Sequence, residues 1–256
     1  MAEIPQPSVQ ERVVAFVDVL GFTRLVRQAF SGDNELLKQL HRILRVTAIH
    51  AAVTSGDILP EIKSFLSPNL RATAFSDSIV ISDVWQNGGL ERVMSTASLL
   101  ASLLLQEGIL SRGGIAKGKT IHDERILLGN GYLAAYELEH KVAVFPRLVI
   151  ADDLVPEAEQ LTGCHIKTDF DGFRFIDVFY QYSGMHQAVA DILIGKPQRL
   201  AVPTVNAFGR VREVVVLGLS KEKKPSILAK YRWLARQFNE AVMAYVPGQV
   251  EPVTYS

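Results

Sequence analysis

Residues 12–23 read RVVAFVDVLGFT, and this stretch decides how the rest of the chain is interpreted. The apolar run up to Leu20 is rich in β-branched residues and predicts a buried strand, which Gly21 ends before helical spacing begins. Asp18 interrupts the strand between two valines, and burying an unpaired carboxylate there would be strongly unfavourable. Asp18 therefore needs a cation, hydrogen-bond donors or exposure at the strand end. The simpler alternative is that the strand stops at Asp18, which then only caps the next segment of the chain.

The turn after Asp18 supplies backbone donors. Gly21 has no side chain, and Phe22 and Thr23 begin the helix, so their free N–H groups form a binding site for phosphate oxygens. A carboxylate beside an anion-binding site indicates that this part of the chain binds a nucleotide phosphate together with a metal ion. Turns from a strand through glycine into a helix are common, so this signal is weak by itself.

A second carboxylate, Asp77, lies at the tip of a hairpin predicted over residues 70–82, LRATAFSDSIVIS. Ser-Asp-Ser is also ordinary turn chemistry. If the hairpin lies beside the first strand, however, Asp77 faces Asp18. Two carboxylates with a backbone carbonyl can hold one or two hard divalent ions.

The remaining pattern predicts a mixed α+β fold, an antiparallel-rich sheet with helices on one face. Because the sequence contains no repeat and no long linker, we expect a single domain over residues 1–256. The predicted elements are a strand over 12–20, helices between 23 and 51, hairpins over 70–82 and 111–129, helices over 90–107, 130–141 and 228–245, and strands over 146–151 and 173–179.

Composition narrows the function. Hydrophobic residues make up 48% and charged residues 21% of the 256 residues, which excludes disorder for most of the chain. The net charge is zero, which disfavours a DNA-binding or membrane-surface role. Cys164 is the only cysteine, so an internal disulfide is impossible. With no signal-peptide pattern at the N-terminus, we expect a soluble, cytoplasmic protein.

Residues 113–120 satisfy the phosphate-loop pattern G-x-x-x-x-G-K-[ST]. That motif requires a helix starting at Lys119 and Thr120, but the next eight residues, IHDERILL, have strand or hairpin character. The local context therefore disfavours a phosphate loop. Because the motif itself matches, a phosphate-loop nucleotide-binding protein is kept as an alternative.

Together these segments resemble the class III nucleotidyl cyclase catalytic domain. The residues that carry the resemblance are FVDVLGFT at 16–23, FSDS at 75–78, RGGIAKG at 112–118, Gly129 and the helix over 135–139. The resemblance covers about residues 12–151 and leaves 152–256 as a C-terminal extension. It implies a ferredoxin-like core, a homodimer, and two Mn²⁺ or Mg²⁺ ions held by Asp18, Asp77 and the Val19 carbonyl.

Within that family the chain is most similar to the bacterial anti-phage pyrimidine cyclases of Pycsar systems, which also share a C-terminal Lys-Tyr-x-Trp-Leu helix, here 230–234. This implies conversion of UTP, or alternatively CTP, to a cyclic monophosphate that activates a separate effector protein. Phe16 would contact ribose or base unless it is core packing. Charge on the substrate would be neutralised from the partner subunit by Arg112, Lys117, Lys119 and Arg125, unless these are solvated hairpin charges.

Four departures separate the chain from adenylate cyclases. Thr73 and Ile126 stand where those enzymes read adenine with Lys and Asp. Leu133 and Glu137 stand where the family has the Asn and Arg that stabilise the transition state. These changes argue against an ATP cyclase and keep an inactive nucleotide-sensing protein open as a further alternative.

Overall fold

The computed structural model describes residues 8–44, 67, 69–182 and 204–255, without the side chains of 42–44 and 204. The strands are β1 (Gln10–Val19), β2 (Arg71–Phe75), β3 (Ser78–Val84), β4 (Ser111–His122), β5 (Leu127–Gly129), β6 (Leu148–Ile150), β7 (Ile166–Thr168) and β8 (Arg174–Ile176). The helices are α1 (Phe22–Phe30), α2 (Asn34–Leu44), α3 (Gly89–Gln106), α4 (Asn130–Lys141), α5 (Val155–Ala158), α6 (Thr204–Lys221) and α7 (Pro225–Tyr245).

These strands form one sheet in the order β2-β3-β1-β4-β6-β8-β7, with β5 paired to β4. The antiparallel-rich sheet is confirmed, since β4 and β6 are the only parallel pair among the described strands. β1 lies between β3 and β4, with Asp18 opposite Ser78 on one side and Arg112 on the other. The strand predicted first is therefore the one that brings the other candidate site residues together.

The prediction of helices on one face is wrong, because helices cover both faces of the sheet. Val13, Ala15 and Val17 pack into a core with α3, whereas Val14 and Phe16 pack against α4 on the opposite face. A half-solvated strand would alternate apolar and polar residues, but residues 13–17 are all apolar and all buried. This continuous apolar run is the physical reason for two covered faces.

The segment after residue 151 continues the same sheet through β7 and β8 and adds a second core. In that core α6 and α7 pack with Leu105, Leu110 and Phe175. Arg147, which is fully buried, pairs with Asp169 and Asp171, and Asp169 also accepts hydrogen bonds from Trp233 Nε1 (2.7 Å) and Arg236 Nη2 (2.6 Å). This buried network joins the sheet to α7.

Most predicted elements are present with small shifts. The predicted strand over 173–179 ends at Ile176 and gives way to a 3₁₀ turn, Val178–Tyr182, and the last helix starts at Pro225 instead of 228. β7, α6 and the short α5 were not predicted, and the predicted helix beyond Leu44 lies outside the described residues. None of the described helices is long and apolar enough to cross a membrane.

Candidate functional site

The two candidate carboxylates lie at the same end of neighbouring strands. Asp18 is opposite Ser78 in the β1–β3 register, and the Val19 N–H donates to the Asp77 carbonyl at 2.8 Å. Asp77 occupies the two-residue turn between β2 and β3, after Ser76 in a left-handed conformation (φ 56°). A non-glycine residue in that region carries about 1–2 kcal/mol of strain, and such strain accumulates at functional turns.

The predicted anion-binding site lies directly after Asp18. Gly21 is left-handed (φ 76°) and precedes α1, whose N-terminus receives no side-chain cap. The Gly21 carbonyl accepts the N–H groups of Arg24 and Leu25, while Phe22 and Thr23 form the exposed or half-exposed first turn. The end of β1 therefore carries a carboxylate and a helix N-terminus that favours negative charge.

A charged cluster surrounds Asp18. Arg112 Nε lies 3.3 Å from Asp18 Oδ2, and Arg112 Nη2 lies 2.6 Å from Oε1 of Glu139 in α4. Burial raises the pKa of Asp18 above its ordinary value and outweighs the opposing effect of Arg112, and the nearby Asp77 raises it further. Burial likewise raises the pKa of Glu139, whose side chain is 3% exposed. Arg112 is thus the bridge between two carboxylates that resist ionisation.

Lys230 is a further member of this cluster that sequence reasoning named only as part of a family helix. It projects from α7 and is half-buried, and burial followed by repulsion from Arg112 lowers its pKa, opposed by Asp18 and Glu139. Its side chain therefore experiences the same charges as the candidate site. No local pattern in residues 225–245 could have placed it there, because the placement depends on how α7 packs on the sheet.

The other residues that were predicted to contact the substrate lie at separate places in the fold. Phe16 is 4% exposed and packs against the rings of Tyr132 and Tyr136, at centroid distances of 6.0 and 5.4 Å. Lys117 lies over the ring of Trp85 at 4.1 Å. Lys119 and Arg125 are exposed. Phe16 is thus core packing in this structure, and Lys119 lies opposite Glu11, far along β4 from Asp18.

The phosphate-loop interpretation is wrong. All of residues 113–120 lie within β4, with Lys119 paired to Glu11 and Thr120 to Gln10 in the β1–β4 register. A phosphate loop needs a strand, then a turn of free N–H groups, then a helix. Because the N–H and carbonyl groups of β4 belong to sheet pairs, this segment cannot cradle a phosphate.

The residues that depart from the adenylate cyclase pattern have different surroundings. The Thr73 hydroxyl is 2.9 Å from His122 Nε2, and His122 Nδ1 is 2.7 Å from the Ser82 hydroxyl. Glu137 forms an exposed ion pair with Lys141 at 3.1 Å. Ile126 and Leu133 are exposed to solvent.

The donors for a metal are two carboxylates and the main chain. No group of three or more His, Cys, Asp and Glu side chains in the described ranges has a metal-binding arrangement. Asp18 is 19% exposed and lies near Asp77, so the two can present hard oxygen donors to Mg²⁺ or Mn²⁺. Burial is the main cause of the raised pKa of Asp18, and repulsion from Asp77 adds to it; a divalent cation would relieve that repulsion. The residues therefore fit such ions once the Asp18 carboxylate turns away from Arg112, which Glu139 holds.

Comparison with known proteins gives distant likenesses. No protein-family model and no curated protein match the chain. The guanylyl cyclase Cya2 is similar at 14% identity and a TM-score of 0.35, over 67% of this chain and 93% of that one. A bacterial light-regulated adenylyl cyclase is similar at 14% identity and a TM-score of 0.37, over 82% of this chain and 58% of that one.

A class III adenylyl cyclase-like ATP-binding protein from Pseudomonas aeruginosa is similar at 11% identity and a TM-score of 0.36. That likeness covers 90% of this chain and 44% of the other. TM-scores this low establish neither fold nor activity.

Proposed function

We propose that this protein is a nucleotidyl cyclase that converts UTP to 3′,5′-cyclic UMP and pyrophosphate. The observation that carries the proposal is the meeting of Asp18 and Asp77 at one sheet end, directly beside the uncapped N-terminus of α1. A pair of carboxylates binds divalent cations, and a helix N-terminus binds phosphate. A metal–triphosphate substrate requires both at once.

Asp18, Asp77 and the Val19 carbonyl would hold two Mn²⁺ or Mg²⁺ ions. When bound, such ions lower the pKa of the ribose 3′ hydroxyl and offset the triphosphate charge. The chain's own residues orient the substrate: the N–H groups of Phe22 and Thr23, next to Gly21, would bind phosphate oxygens.

In the reaction the ribose 3′ hydroxyl loses its proton to water, the 3′ oxygen attacks the α-phosphorus in line to form a new 3′ O–P bond, and the bond to the pyrophosphate oxygen breaks. Arg112 and Lys230 would neutralise the negative charge of the bound triphosphate and of the leaving pyrophosphate. Glu139 then keeps Arg112 in place at 2.6 Å when Asp18 turns to the ions. Glu137 stands at the position of the family arginine and is acidic, so it cannot supply positive charge there. Lys230 would supply that charge instead.

A homodimer belongs to the same proposal. Several large apolar side chains are exposed on α4, on the β4–β5 hairpin and at the β2–β3 tip, namely Phe75, Leu128, Leu133 and Tyr136. α4 and β5 are in contact, and exposed apolar side chains on adjoining elements are typical of a protein–protein contact surface. A second copy covering α4 would also shield the Asp18 site from water.

UTP is preferred to CTP only on the resemblance to the Pycsar cyclases, and the same resemblance gives the proposed role in anti-phage defence through a separate effector protein. The test is to incubate the purified protein with Mn²⁺ and each of ATP, GTP, CTP and UTP and to identify the products by mass. We expect cyclic UMP from UTP. Cyclic CMP alone would correct the base, and a cyclic purine product would contradict the defence role.

An inactive nucleotide sensor is the second candidate, favoured by one observation. Glu137 pairs with Lys141, and Leu133 is exposed, so neither side chain could stabilise a transition state as the family Arg and Asn do. Saturable binding of a triphosphate without pyrophosphate release, in the presence of Mn²⁺, would favour this candidate over the cyclase.

A further inference from the structure

A cavity of about 670 Å³ lies away from Asp18, between α6, α7 and the C-terminal tail. The tail forms a fixed wall, because the Asn239 side chain donates to the Val253 carbonyl (2.9 Å) and accepts from the Val253 N–H (2.7 Å). Val253 itself is buried. Arg212 Nε donates to the Glu251 carbonyl at 2.8 Å and fixes the tail to α6. The cavity is thus built by three elements and is within the size range of ligand pockets.

The lining of the cavity is positively charged. Arg212 and Arg232 both line it, and none of the described lining residues is acidic. The exposed guanidinium of Arg232 makes no hydrogen bond or ion pair with any described residue, and Arg212 uses only Nε in the contact with the tail. Two guanidinium groups that share one cavity repel each other unless an anion joins them.

The rest of the lining is apolar or aromatic. Leu219, Leu228 and Val253 supply aliphatic surface, and Tyr255 adds a ring that is 41% exposed at the rim. A free phosphate ion would leave most of this surface uncovered. The lining therefore matches an anion that also carries a ring or another apolar body.

We infer that this cavity is a binding site for a phosphate-bearing small molecule of nucleotide size. Arg212 and Arg232 bind its phosphate, and Leu219, Leu228 and Tyr255 contact its body. Guanidinium groups bind phosphate through paired hydrogen bonds, which makes arginine suited to this role. The site is separate from the proposed cyclase site and does not depend on that activity.

The test is a calorimetric titration of the full chain, in EDTA so that the proposed two-ion site cannot hold a triphosphate. The probes are nucleoside mono-, di- and triphosphates, the 3′,5′-cyclic monophosphates and inorganic pyrophosphate. We expect at least one nucleotide to bind saturably and more tightly than pyrophosphate. Arg232→Gln should weaken that binding by at least about tenfold, because it removes a charge-assisted phosphate contact.

Arg210→Gln is the matched control, since Arg210 is an exposed arginine of α6 outside the cavity lining, and it should leave affinity unchanged. Asp18→Asn should also leave it unchanged. The inference is overturned if none of the probes binds saturably, if Arg232→Gln binds as tightly as wild type, or if Asp18→Asn removes the binding. Thermal unfolding of each variant confirms that a loss of affinity is not a loss of fold.

Discussion

Arg112 and Lys230 supply the positive charge beside Asp18, from two elements far apart in sequence. Arg112 is 3.3 Å from Asp18 and 2.6 Å from Glu139, and Lys230 is close enough for all three charges to alter its pKa. The cluster therefore contains two acids and two bases around one strand end. Binding of a triphosphate would add negative charge where both cations can meet it.

Lys230→Ala should raise the KM for the nucleoside triphosphate by about tenfold or more, because a charge-assisted phosphate contact is lost. Lys230→Arg should restore most of the affinity, since it keeps the charge. Steady-state kinetics at saturating Mn²⁺ measures both. Lys141→Ala, an exposed lysine paired with Glu137, is the control. A KM that is unchanged in Lys230→Ala would remove Lys230 from the site.

Cys164 should be almost inert to thiol reagents in the folded protein. It is 5% exposed, and burial raises the pKa of its thiol to about 11, so little thiolate forms at mildly alkaline pH. The rate of colour development with dithiobis(nitrobenzoate) measures this. Complete reaction in urea is the control, and equally fast reaction of the folded protein would contradict the burial of Cys164.

At the scale of elements, the contact between β4 and α4 requires glycine. A Cβ on Gly114 would lie 2.3 Å from the Ala135 carbonyl oxygen and 2.6 Å from Leu138 Cβ. Neither neighbour is the end of a flexible side chain, so the helix would have to move. Gly114 therefore fixes how closely α4 approaches the strand that carries Arg112.

Gly114→Ala should lower the free energy of unfolding by about 1–3 kcal/mol, the usual effect of overpacking a core. Gly209→Ala is a matched comparison, because a Cβ at Gly209 in α6 meets nothing within 4 Å. That variant should gain about 0.5–1 kcal/mol, since alanine is the better helix former. Urea denaturation gives both values, and an equal effect of the two variants would contradict the close packing.

The elements of the candidate site were largely predictable from sequence, because their signals are local. β1, the hairpin around Asp77 and α4 each have a periodicity and a turn signal of their own. The coverage of both sheet faces could have been inferred from the continuous apolar run over 13–17, although the mixed α+β pattern favoured one covered face. β7, with three residues, is too short for a pattern, and Lys230 is brought near Asp18 only by tertiary packing.

At the scale of the whole molecule, the C-terminal segment is joined to the sheet through Asp169. This buried carboxylate accepts from Arg147 near β6 and from Trp233 and Arg236 in α7. The same helix carries Lys230 to the candidate site and Arg232 to the cavity. The position of α7 on the sheet therefore sets the geometry of both places.

Asp169→Ala should lower the free energy of unfolding by about 3–5 kcal/mol, because it leaves the buried Arg147 with only Asp171 as an ionic partner. Asp153→Ala, at an exposed position, should change it by less than about 0.5 kcal/mol. Urea denaturation monitored by tryptophan fluorescence measures both. A small effect of Asp169→Ala would mean that α7 is held mainly by its apolar contacts.

The proposed activity depends above all on Asp18 and Asp77 holding the ions that activate the substrate. Asp18→Asn should remain folded: because its pKa is raised, this carboxyl stabilises the fold at low pH and that stabilisation is lost as pH rises through the raised value. At neutral pH the half-buried, ionised carboxylate lowers the stability of the fold, and replacing it with an amide removes this effect.

The most direct measurement follows Mn²⁺ binding by electron paramagnetic resonance, together with cyclic product from the preferred triphosphate, in Asp18→Asn, Asp77→Asn and the control Asp153→Asn. We predict that the first two variants stay folded, bind Mn²⁺ more weakly and yield no cyclic product, whereas the control matches wild type. Cyclic product at a substantial fraction of the wild-type rate from either site variant would contradict the two-carboxylate site.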